Sequence, residues 1–491
     1  MLLSLAALID RKHDIRPAFC EADKVLRFCD LYAEVAKLAA SLEQAPATIG
    51  LLAKNSLDWV IADLAVCAAG KTLVPLPSFF SAAQIQHIAE DADIGLFLCD
   101  AAHEERIHAL KLPVRLLGSS TGDSVPDLHP AKGAQRIIYT SGTTGQPKGV
   151  MLGETQLNFT MRALAEAINA GAQDRYLSVL PFALLLEELC GLHVPLMVGG
   201  RCLIDAEAAE AVAAGEVSAL QASAQAAQPS VMVLVPELLR AWCAALMLSG
   251  EKAPNSLRLV AVGGAKTPPD FIDLAHDLGL PAYEGYGLSE CGSVVALNLP
   301  GAARSGTVGR PLAGLDVQII DDEICVAGPN VMSAYLGRPP HKGSWPTGDL
   351  GRFDEDGYLI VHGRKDSVLV NGFGRNLSPE WVETMLVSDF QIARAVLAQG
   401  DKGGFCALII PTLLGEAFAD SSQYAENLSA LRNLCASAPD YAKPSDFLCL
   451  SSEQAEAAGL FTPSGRPRRQ HINDFIENRN KEKCDEPNTI L

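Results

Sequence analysis

The strongest signal in the sequence is Ile137–Val150, which reads IIYTSGTTGQPKGV. An apolar strand candidate runs directly into a loop of small and hydroxyl residues, namely Thr140, Ser141, Gly142, Thr143, Thr144 and Gly145. Glycines let backbone N–H groups approach phosphate oxygens, hydroxyl groups add donors, and Lys148 supplies a positive charge. The pattern therefore predicts a loop that binds phosphate groups.

Two other interpretations of this loop were open. The Walker spacing, with four residues between glycines followed by Gly-Lys-Ser/Thr, is absent, so the pattern indicates a different kind of phosphate loop. A simple turn is the second alternative. Six consecutive small or hydroxyl residues directly after a strand disfavour it.

Strand-like and helix-like segments alternate on both sides of the loop. The helical candidates are Leu3–Ile9, Leu26–Leu42, Trp59–Ala69, Ala82–Asp91 and Pro236–Leu246. The strand candidates are Thr48–Leu52, Thr72–Pro75, Ile94–Cys99, Ser230–Val235 and Leu257–Val262. This alternation predicts a mostly parallel sheet that helices cover on both faces.

The pattern of the sequence changes after Gly306, where short strand candidates alternate with turns that contain Gly, Pro and Asp. These candidates are Val317–Ile320, Glu323–Ala327 and Tyr358–Val361. A second change near Arg364 introduces a strand pair around Ala395–Ile410. We therefore predict an α/β protein. Its large N-terminal domain, residues 1–364, combines doubly wound α/β subdomains with a β-rich subdomain, and a small α+β C-terminal domain spans residues 365–491 with a frayed tail from about Asn478.

The composition excludes several classes of partner. Among the 491 residues, 39 Lys and Arg stand against 58 Asp and Glu, and 39 − 58 gives a net charge of −19. This charge disfavours non-specific binding to nucleic acid or to anionic membranes. The 13 cysteines form no CxxC pair and no zinc spacing, which favours reduced thiols and a cytoplasmic location. No apolar run reaches the length of a membrane-spanning helix, and the first residues lack the features of a signal peptide.

Three further segments follow the loop along the chain: YEGYGLSE at Tyr283–Glu290, WPTGDL at Trp345–Leu350, and GRKDSVLVNGFGRNLSPEWVE at Gly363–Glu383. Together with the loop, they resemble the adenylate-forming acyl-CoA synthetase superfamily, which includes peptide-synthetase adenylation domains and firefly luciferase. The resemblance extends from about residue 1 to about residue 470.

This resemblance implies an AMP-forming acid–thiol ligase with a two-step reaction. A carboxylate attacks the α-phosphate of ATP, giving an acyl-adenylate and pyrophosphate. The thiol of coenzyme A, or of a carrier protein's phosphopantetheine arm, then displaces AMP. Because an anionic acid must approach a polyanionic phosphate, the site needs Mg²⁺, cations and oriented N–H groups.

The family motifs also imply roles for single residues. The catalytic residues are expected to be Lys148, Glu290 and Arg466, and Mg²⁺ is expected to bind Glu290 and Thr144. The nucleotide is expected to contact Thr140, Ser141, Gly142, Thr143, Thr144, Gly145, Gly263, Gly264, Ala265, Glu284, Gly285, Tyr286, Gly287, Ser289, Asp349 and Arg364. Asp366 matches the family's hinge, and residues 372–374 match a loop that enters the site for the second step.

The sequence departs from the family at Arg466. Thr462–Arg469 reads TPSGRPRR, which places Arg466 where the family commonly has a lysine that bridges the acid and ATP. Arginine keeps the charge but not the compact ammonium geometry. Three alternatives follow: Arg466 performs the lysine's role, adenylation is slow, or the protein is a nucleotide-binding pseudoenzyme.

The acid is expected to be a small molecule that contacts Phe182, Glu187, Gly292 and Val294. The apolar run Phe182–Leu186 is equally compatible with an acid pocket and with the core. The small apolar stretch Gly292–Ala296 favours a fatty or aryl acid over a polar amino acid. Coenzyme A is the expected acceptor, and a stand-alone ligase that loads an acyl or peptidyl carrier protein is the alternative.

Overall fold

The computed structural model describes residues 1–118, 124–131, 133, 135–140, 147–213, 216, 218–370, 376–400, 404–412, 415, 424–462 and 465–485. The phosphate-loop residues Ser141, Gly142, Thr143, Thr144 and Gly145 lie outside the described residues, and so does the segment 372–374.

The described helices are spread along the whole chain. In chain order they are α1 (Leu3–Asp10), α2 (Phe28–Ser41), α3 (Leu57–Ala68), α4 (Ala82–Asp91), α5 (Ala101–Ala109), α6 (Glu154–Ala167), α7 (Leu185–Glu187), α8 (Val194–Val198), α9 (Ala206–Ala213), α10 (Ala219–Ala227), α11 (Pro236–Ser249), α12 (Pro269–Asp277), α13 (Pro379–Leu386), α14 (Tyr424–Leu434), α15 (Ser452–Ala457) and α16 (Arg469–Asp485). A π-helical turn, Glu188–His193, joins α7 directly to α8.

The described strands alternate with these helices. In chain order they are β1 (Pro17–Glu21), β2 (Lys24–Arg27), β3 (Thr48–Leu52), β4 (Thr72–Pro75), β5 (Leu96–Cys99), β6 (Val114–Leu116), β7 (Gln135–Thr140), β8 (Lys148–Gly153), β9 (Arg175–Ser178), β10 (Arg201–Ile204), β11 (Val231–Leu234), β12 (Leu259–Val262), β13 (Ala282–Tyr286), β14 (Ala296–Leu297), β15 (Arg310–Pro311), β16 (Asp316–Ile320), β17 (Glu323–Ala327), β18 (Ala334–Tyr335), β19 (Trp345–Phe353), β20 (Leu359–Arg364), β21 (Leu369–Val370), β22 (Asn376–Leu377), β23 (Ile392–Gln399), β24 (Phe405–Pro411) and β25 (Asp446–Cys449).

Two large sheets contain most of the described strands. The larger has the order β15-β14-β13-β12-β11-β9-β10-β1-β2, and its strands from β13 to β1 are parallel. The other has the order β18-β8-β7-β4-β3-β5-β6, with a parallel centre and with β8 antiparallel to β7. Both sheets confirm the predicted α/β fold with mostly parallel, helix-covered sheets.

The smaller sheets follow later in the chain. A sheet of the order β16-β17-β19-β20 corresponds to the predicted β-rich segment. The pair β21-β22 and the sheet β23-β24-β25 complete the described strands, and β23 runs antiparallel to β24. The expected strand pair around Ala395–Ile410 is therefore confirmed.

The chain divides into two compact units. The first comprises Met1–Gly264, Ala275–Gln318 and Cys325–Thr347. The second comprises Ala265–Leu274, Ile319–Ile324 and Gly348–Leu491. The domain boundary expected at residue 364 stays a prediction.

Local sequence signals account for many of the helix ends. Ser56 accepts a hydrogen bond from the backbone of Trp59 at the start of α3. Helix α11 begins with Pro236 and ends at Gly250 in the left-handed region, because proline needs no N–H donor there and glycine tolerates a positive φ. The predicted elements Thr48–Leu52 and Ala82–Asp91 are confirmed with the same bounds.

Two predicted segments differ from the structure. The expected helix Leu26–Leu42 begins only at Phe28, because Leu26 pairs with Phe19 in the β1-β2 hairpin. The tail expected to fray from Asn478 is helical as far as Asp485. Its helix is anchored by Ile472 and Ile476, which are buried in a cluster with Val396 and Leu408, and polar residues extend it.

Within the described part of the chain, no helix combines the length and the apolar composition that crossing a bilayer requires.

The turn before β15 generates a stability prediction. Gly309 has a φ of +85°, and a Cβ atom there would lie 2.0 Å from the backbone carbon of Leu297. We expect Gly309→Ala to lower the free energy of unfolding by more than about 3 kcal/mol, because the added methyl group would overlap the backbone of Leu297. A loss of this size is among the largest that single substitutions cause. Gly301 has a φ of +74° but open space around its Cβ position. Gly301→Ala, the matched control, should lose only about 1 kcal/mol. Equal losses in urea denaturation would contradict the account of this turn.

Candidate functional site

The ends of β7 and β8 frame the predicted phosphate loop. The two strands are antiparallel, and Thr140 at the end of β7 pairs with Lys148 at the start of β8. Lys148 is exposed. Thr140 and Lys148 therefore stand side by side where the chain enters and leaves the loop, as a phosphate site requires.

Lys148 and Glu290 are joined by a residue that the sequence did not indicate. The Nζ atom of Lys148 lies 5.8 Å from the ring centre of Tyr335. The hydroxyl of Tyr335 donates a hydrogen bond of 2.7 Å to Oε1 of Glu290. Tyr335 reaches this position because it pairs with Val150 of β8. Its separation in sequence from both partners leaves no local pattern that could have revealed it.

The Oε2 atom of Glu290 accepts no hydrogen bond from the described residues, since Tyr335 occupies only Oε1. A half-buried carboxylate with one oxygen available is a suitable ligand for a hard cation such as Mg²⁺. The donor set in the described residues therefore fits the expected metal at Glu290. The second expected ligand, Thr144, lies outside the described residues.

Backbone constraints fix the turn that carries Glu290. Ser289 begins a 3₁₀ turn that ends at Gly292, where φ is +62°. A Cβ atom on Gly287 would lie 1.6 Å from the carbonyl oxygen of Ser293. Glycine is needed at position 287 because the two backbone segments are in direct contact there.

The adjacent strands β12 and β13 bring several of the predicted nucleotide contacts together. Val262 pairs with Glu284, so Gly263 follows β12 beside Gly285. Cβ atoms at Gly263 and Gly264 would meet nothing closer than 3.7 Å, which leaves space for a flat group against the backbone. Glu284 is buried, and Tyr286 is half-buried on the same strand. Ala265 is exposed and belongs to the second unit.

In the second unit, Asp349 and Arg364 are partners. They pair across β19 and β20, and Nη1 of Arg364 donates to Oδ1 of Asp349 over 3.2 Å. Gly348, with a φ of +75°, permits this contact because a Cβ atom there would lie 2.9 Å from Nη2 of Arg364. Two of the predicted nucleotide contacts are thus adjacent in the structure.

The predicted hinge and the lysine replacement also lie in the second unit. Asp366 lies in the short 3₁₀ helix Lys365–Ser367, and its side chain is half exposed. Arg466 is exposed at a tight turn, where its backbone N–H donates to Oγ1 of Thr462 over 3.0 Å. The hinge role of Asp366 and the catalytic role of Arg466 stay predictions.

Two of the four predicted acid contacts, Phe182 and Glu187, both lie beside Gly191. Phe182 is fully buried, and its ring centre lies 5.2 Å from that of Trp59. Val294 is buried, and Gly292 packs tightly against Thr160. Glu187 is buried and accepts a hydrogen bond of 2.8 Å from the hydroxyl of Tyr176.

An apolar cavity that is partly open to solvent lies beside Tyr176 in the first unit, and its space of about 530 Å³ includes open solvent. It is lined by Leu164, Ile168, Ala170, Asp174, Tyr176, Cys190, Val194, Pro195, Val198, Arg201, Val231, Val233, Leu259, Ala261 and Leu297. Residues two apart on β11 and β12 share one face, so the cavity extends along these strands beneath α6 and α8.

The cavity ends close to the predicted nucleotide contacts. Leu297 pairs with Gly285, and Ala261 lies two residues before Gly263. The charged lining residues, Asp174 and Arg201, lie at the other ends of the strands, away from the predicted nucleotide contacts. There Asp174 is paired with Arg258 over 2.7 Å, and its carbonyl accepts from the backbone of Arg201.

The chain belongs to the family of AMP-binding enzymes, whose model matches residues 9–336. This membership confirms the predicted adenylate-forming superfamily and the prediction of an enzyme.

Similar proteins support the same classification. A 2-succinylbenzoate–CoA ligase of Bacillus licheniformis is 28% identical over 412 residues, which is 77% of this chain and 83% of the relative. A malonate–CoA ligase of Arabidopsis thaliana is 27% identical and covers 81% of this chain and 73% of its own length.

Solved structures show the same fold. An anthranilate CoA ligase in complex with anthranoyl-AMP matches with a TM-score of 0.83 at 18% identity, over 97% of this chain and 98% of its own. An o-succinylbenzoate CoA synthetase of Bacillus subtilis, in complex with its acyl-adenylate, matches with a TM-score of 0.79 at 22% identity, over 96% and 98%. The predicted architecture is therefore confirmed.

Glu187 generates a prediction about pH. Burial raises the pKa of Glu187 to about 8, although the hydrogen bond from Tyr176 favours the carboxylate. Because the folded state then holds a proton that the unfolded state has lost, stability should fall as the pH rises from about 4.5 to 8, by at most about 1.4 kcal/mol per pH unit. Glu187→Gln removes this titration.

The unfolding free energy of Glu187→Gln relative to the wild type should therefore increase between pH 5 and pH 8, as measured by urea denaturation in the same buffers. A difference that is constant across this range would contradict a raised pKa at Glu187.

Proposed function

We propose that this enzyme uses ATP to convert a monocarboxylic acid with an apolar aryl or fatty tail into an acyl-adenylate, and then transfers the acyl group to coenzyme A. The relatives named above ligate acids to coenzyme A, which supports the reaction. The apolar cavity that ends at Leu297, beside Gly285, carries the assignment of the acid.

The chemistry of the cavity separates this acid from those in the relatives' names. Malonate and 2-succinylbenzoate each carry two carboxylates. A second carboxylate buried among Val233, Ala261 and Leu297 would lack a cation or a hydrogen-bond donor, which is costly. At the far end, the lining residue Asp174 carries a carboxylate, so a substrate carboxylate would meet a like charge there. An apolar tail would bring no unpaired charge into the cavity and would not be repelled by Asp174.

The residues of the first unit would perform the following roles. Lys148 and the loop from Thr140 to Gly145 hold the phosphates, and Tyr335 orients Glu290. Mg²⁺, when bound by Glu290 and Thr144, neutralises phosphate charge. Gly263 and Gly264 leave room for the adenine, next to Glu284, Gly285, Tyr286, Gly287 and Ser289.

The residues of the second unit complete the assignment. Asp349 accepts hydrogen bonds from the ribose hydroxyls, and Arg364 supports Asp349. Arg466 supplies the positive charge that a lysine provides elsewhere in the superfamily. Asp366 acts as the hinge between an N-terminal domain that ends near residue 364 and the C-terminal domain.

The acceptor and location are part of the same proposal. Twelve of the 13 cysteines are free thiols, which supports a reducing, cytoplasmic environment. Coenzyme A is preferred over a carrier protein because the relatives named above are CoA ligases.

The direct experiment incubates the protein with ATP, Mg²⁺ and single acids, and measures pyrophosphate release and thioester formation. The panel contains octanoate, benzoate, phenylacetate, malonate and 2-succinylbenzoate. We expect the apolar monocarboxylates to give a higher kcat/KM than the two dicarboxylates. Coenzyme A should give thioester faster than a phosphopantetheinylated carrier protein does. No acid-dependent pyrophosphate release with any acid would favour the pseudoenzyme alternative.

Filling the cavity should change the acid preference. Ala261→Leu adds three carbon atoms to the wall next to the adenine contacts. We expect kcat/KM for octanoate to fall by roughly tenfold or more, because the larger side chain would displace the substrate from its reactive position. The value for a short acid such as propionate should change less than about threefold. An equal loss for both acids would mean that the tail does not enter this cavity.

A substitution of Tyr335 tests the proposed role of Glu290 as a ligand of Mg²⁺. Tyr335→Phe keeps the ring near Lys148 but removes the hydrogen bond to Glu290. A hydrogen bond to a charged group contributes about 1.5–3 kcal/mol, so kcat/KM for ATP should fall by roughly tenfold or more. Tyr32→Phe is the matched control, because the hydroxyl of Tyr32 accepts from the backbone of Leu128 elsewhere in the fold. If both variants lose equally, the bond from Tyr335 to Glu290 has no special role.

A further inference from the structure

A guanidinium without solvent contact lies in the interior of the first unit. Arg136, on β7, is fully buried, and so are its two acidic partners. Its Nη2 donates to Oδ1 of Asp63 in α3 over 2.5 Å, and its Nε donates to Oε1 of Glu188 in the π-helical turn. Arg136 thereby connects a sheet strand, a helix and the turn between α7 and α8.

A buried histidine completes this cluster. The Nε2 of His193 lies 2.9 Å from Nη2 of Arg136, and its Nδ1 lies 2.9 Å from Oγ of Ser4. Because a guanidinium can only donate, Nε2 must accept, so the proton of the imidazole is on Nδ1. Burial lowers the pKa of His193 to about 3, which agrees with a neutral ring.

The π-helical turn is what lets two of its residues reach the same guanidinium. Glu188 and His193 are five residues apart, the spacing of a π-helical hydrogen bond. In an α-helix, residues at this spacing point in different directions, whereas here both contact Arg136. The cluster therefore accounts for the irregular helix.

This turn and β7 connect the two halves of the proposed site. The turn contains Cys190, and the helix that continues it contains Val194, both of which line the apolar cavity. Strand β7 ends at Thr140, four residues after Arg136, where the phosphate loop begins. A displacement of the turn against β7 would move the cavity wall relative to the ATP site.

We infer that Arg136 is a positioning residue, which holds the cavity wall in register with the phosphate loop through Glu188 and His193. This inference rests on the proposed function, since it assigns the cluster a role in acid selection. It treats Arg136 as acting through the turn and not as touching the substrate.

A metal ion is the alternative occupant of the cluster. Ligand atoms of Asp63, Glu188 and His193 lie within 4.8 Å of one another. However, the guanidinium of Arg136 already contacts all three residues and supplies a positive charge there. The arrangement favours the resident guanidinium over a metal.

The test compares two substitutions of Glu188. Glu188→Ala removes the acceptor but leaves Arg136 paired with Asp63, so one positive and one negative charge remain. Glu188→Gln keeps an acceptor oxygen for Nε of Arg136. We expect the alanine variant to raise KM for octanoate roughly tenfold with KM for ATP changed less than about twofold, and the glutamine variant to stay within about threefold of the wild type.

A second measurement does not depend on activity. The rate at which N-ethylmaleimide alkylates Cys190, followed by peptide mass spectrometry, reports whether the cavity wall has loosened. We expect faster alkylation in Glu188→Ala and the wild-type rate in Glu188→Gln. If the alanine variant does not fold, Glu188→Met replaces it, because methionine keeps the side-chain volume without the acceptor. Glu188→Met should then show the higher KM for octanoate and the faster alkylation of Cys190.

Glu383→Ala is the matched control, because Glu383 is paired with Arg469 in the second unit over 2.7 Å. It should lose thermal stability while KM for octanoate and the alkylation of Cys190 stay unchanged. If Glu188→Ala behaves like this control, Arg136 only stabilises the fold and the inference is overturned. If the wild type releases no pyrophosphate with any acid, the proposed function fails, and the alkylation of Cys190 alone decides the inference.

Discussion

A buried positive charge must be matched by buried partners, and in this protein that constraint falls on Arg136. Removing the positive member of such a cluster typically costs about 3–5 kcal/mol, because buried carboxylates are then left without compensation. The partners of Arg136 come from α3 and from the turn after α7, so the cluster fixes three elements against one another. The phosphate loop follows directly from one of these elements, and the apolar cavity is lined by the continuation of another.

The same cluster shows where prediction from sequence succeeds and where it stops. Ile137–Val150 could be recognised because glycines, hydroxyls and a lysine stand next to one another in the chain. Strands such as Thr48–Leu52 were equally accessible, because a short apolar run between turns is a local signal. Arg136 offered no such signal. Its partners Asp63 and Glu188 lie 73 and 52 residues away, and only the packed fold brings them together.

The candidate site was likewise predictable in part. Gly287 belongs to the segment YEGYGLSE, and the close backbone contact at this position explains why it is glycine. The acid contacts were less accessible, because Phe182 sits in an apolar run that suits a core and a pocket equally, and the fold buries it against Trp59. The cavity draws its lining from five strands, two helices and the π-helical turn. Sequence periodicity cannot reveal how their side chains meet.

In the proposed function, the cavity beside Gly285 receives an apolar acyl tail. Stable analogues of the acyl-adenylate test it most directly, because an enzyme binds such species more tightly than its substrates. Isothermal titration calorimetry would compare two sulfamate-linked adenosine analogues, one with an octanoyl group and one with a malonyl group. We expect the octanoyl analogue to bind at least roughly tenfold more tightly, which corresponds to about 1.4 kcal/mol. Equal affinities, or tighter binding of the malonyl analogue, would contradict it.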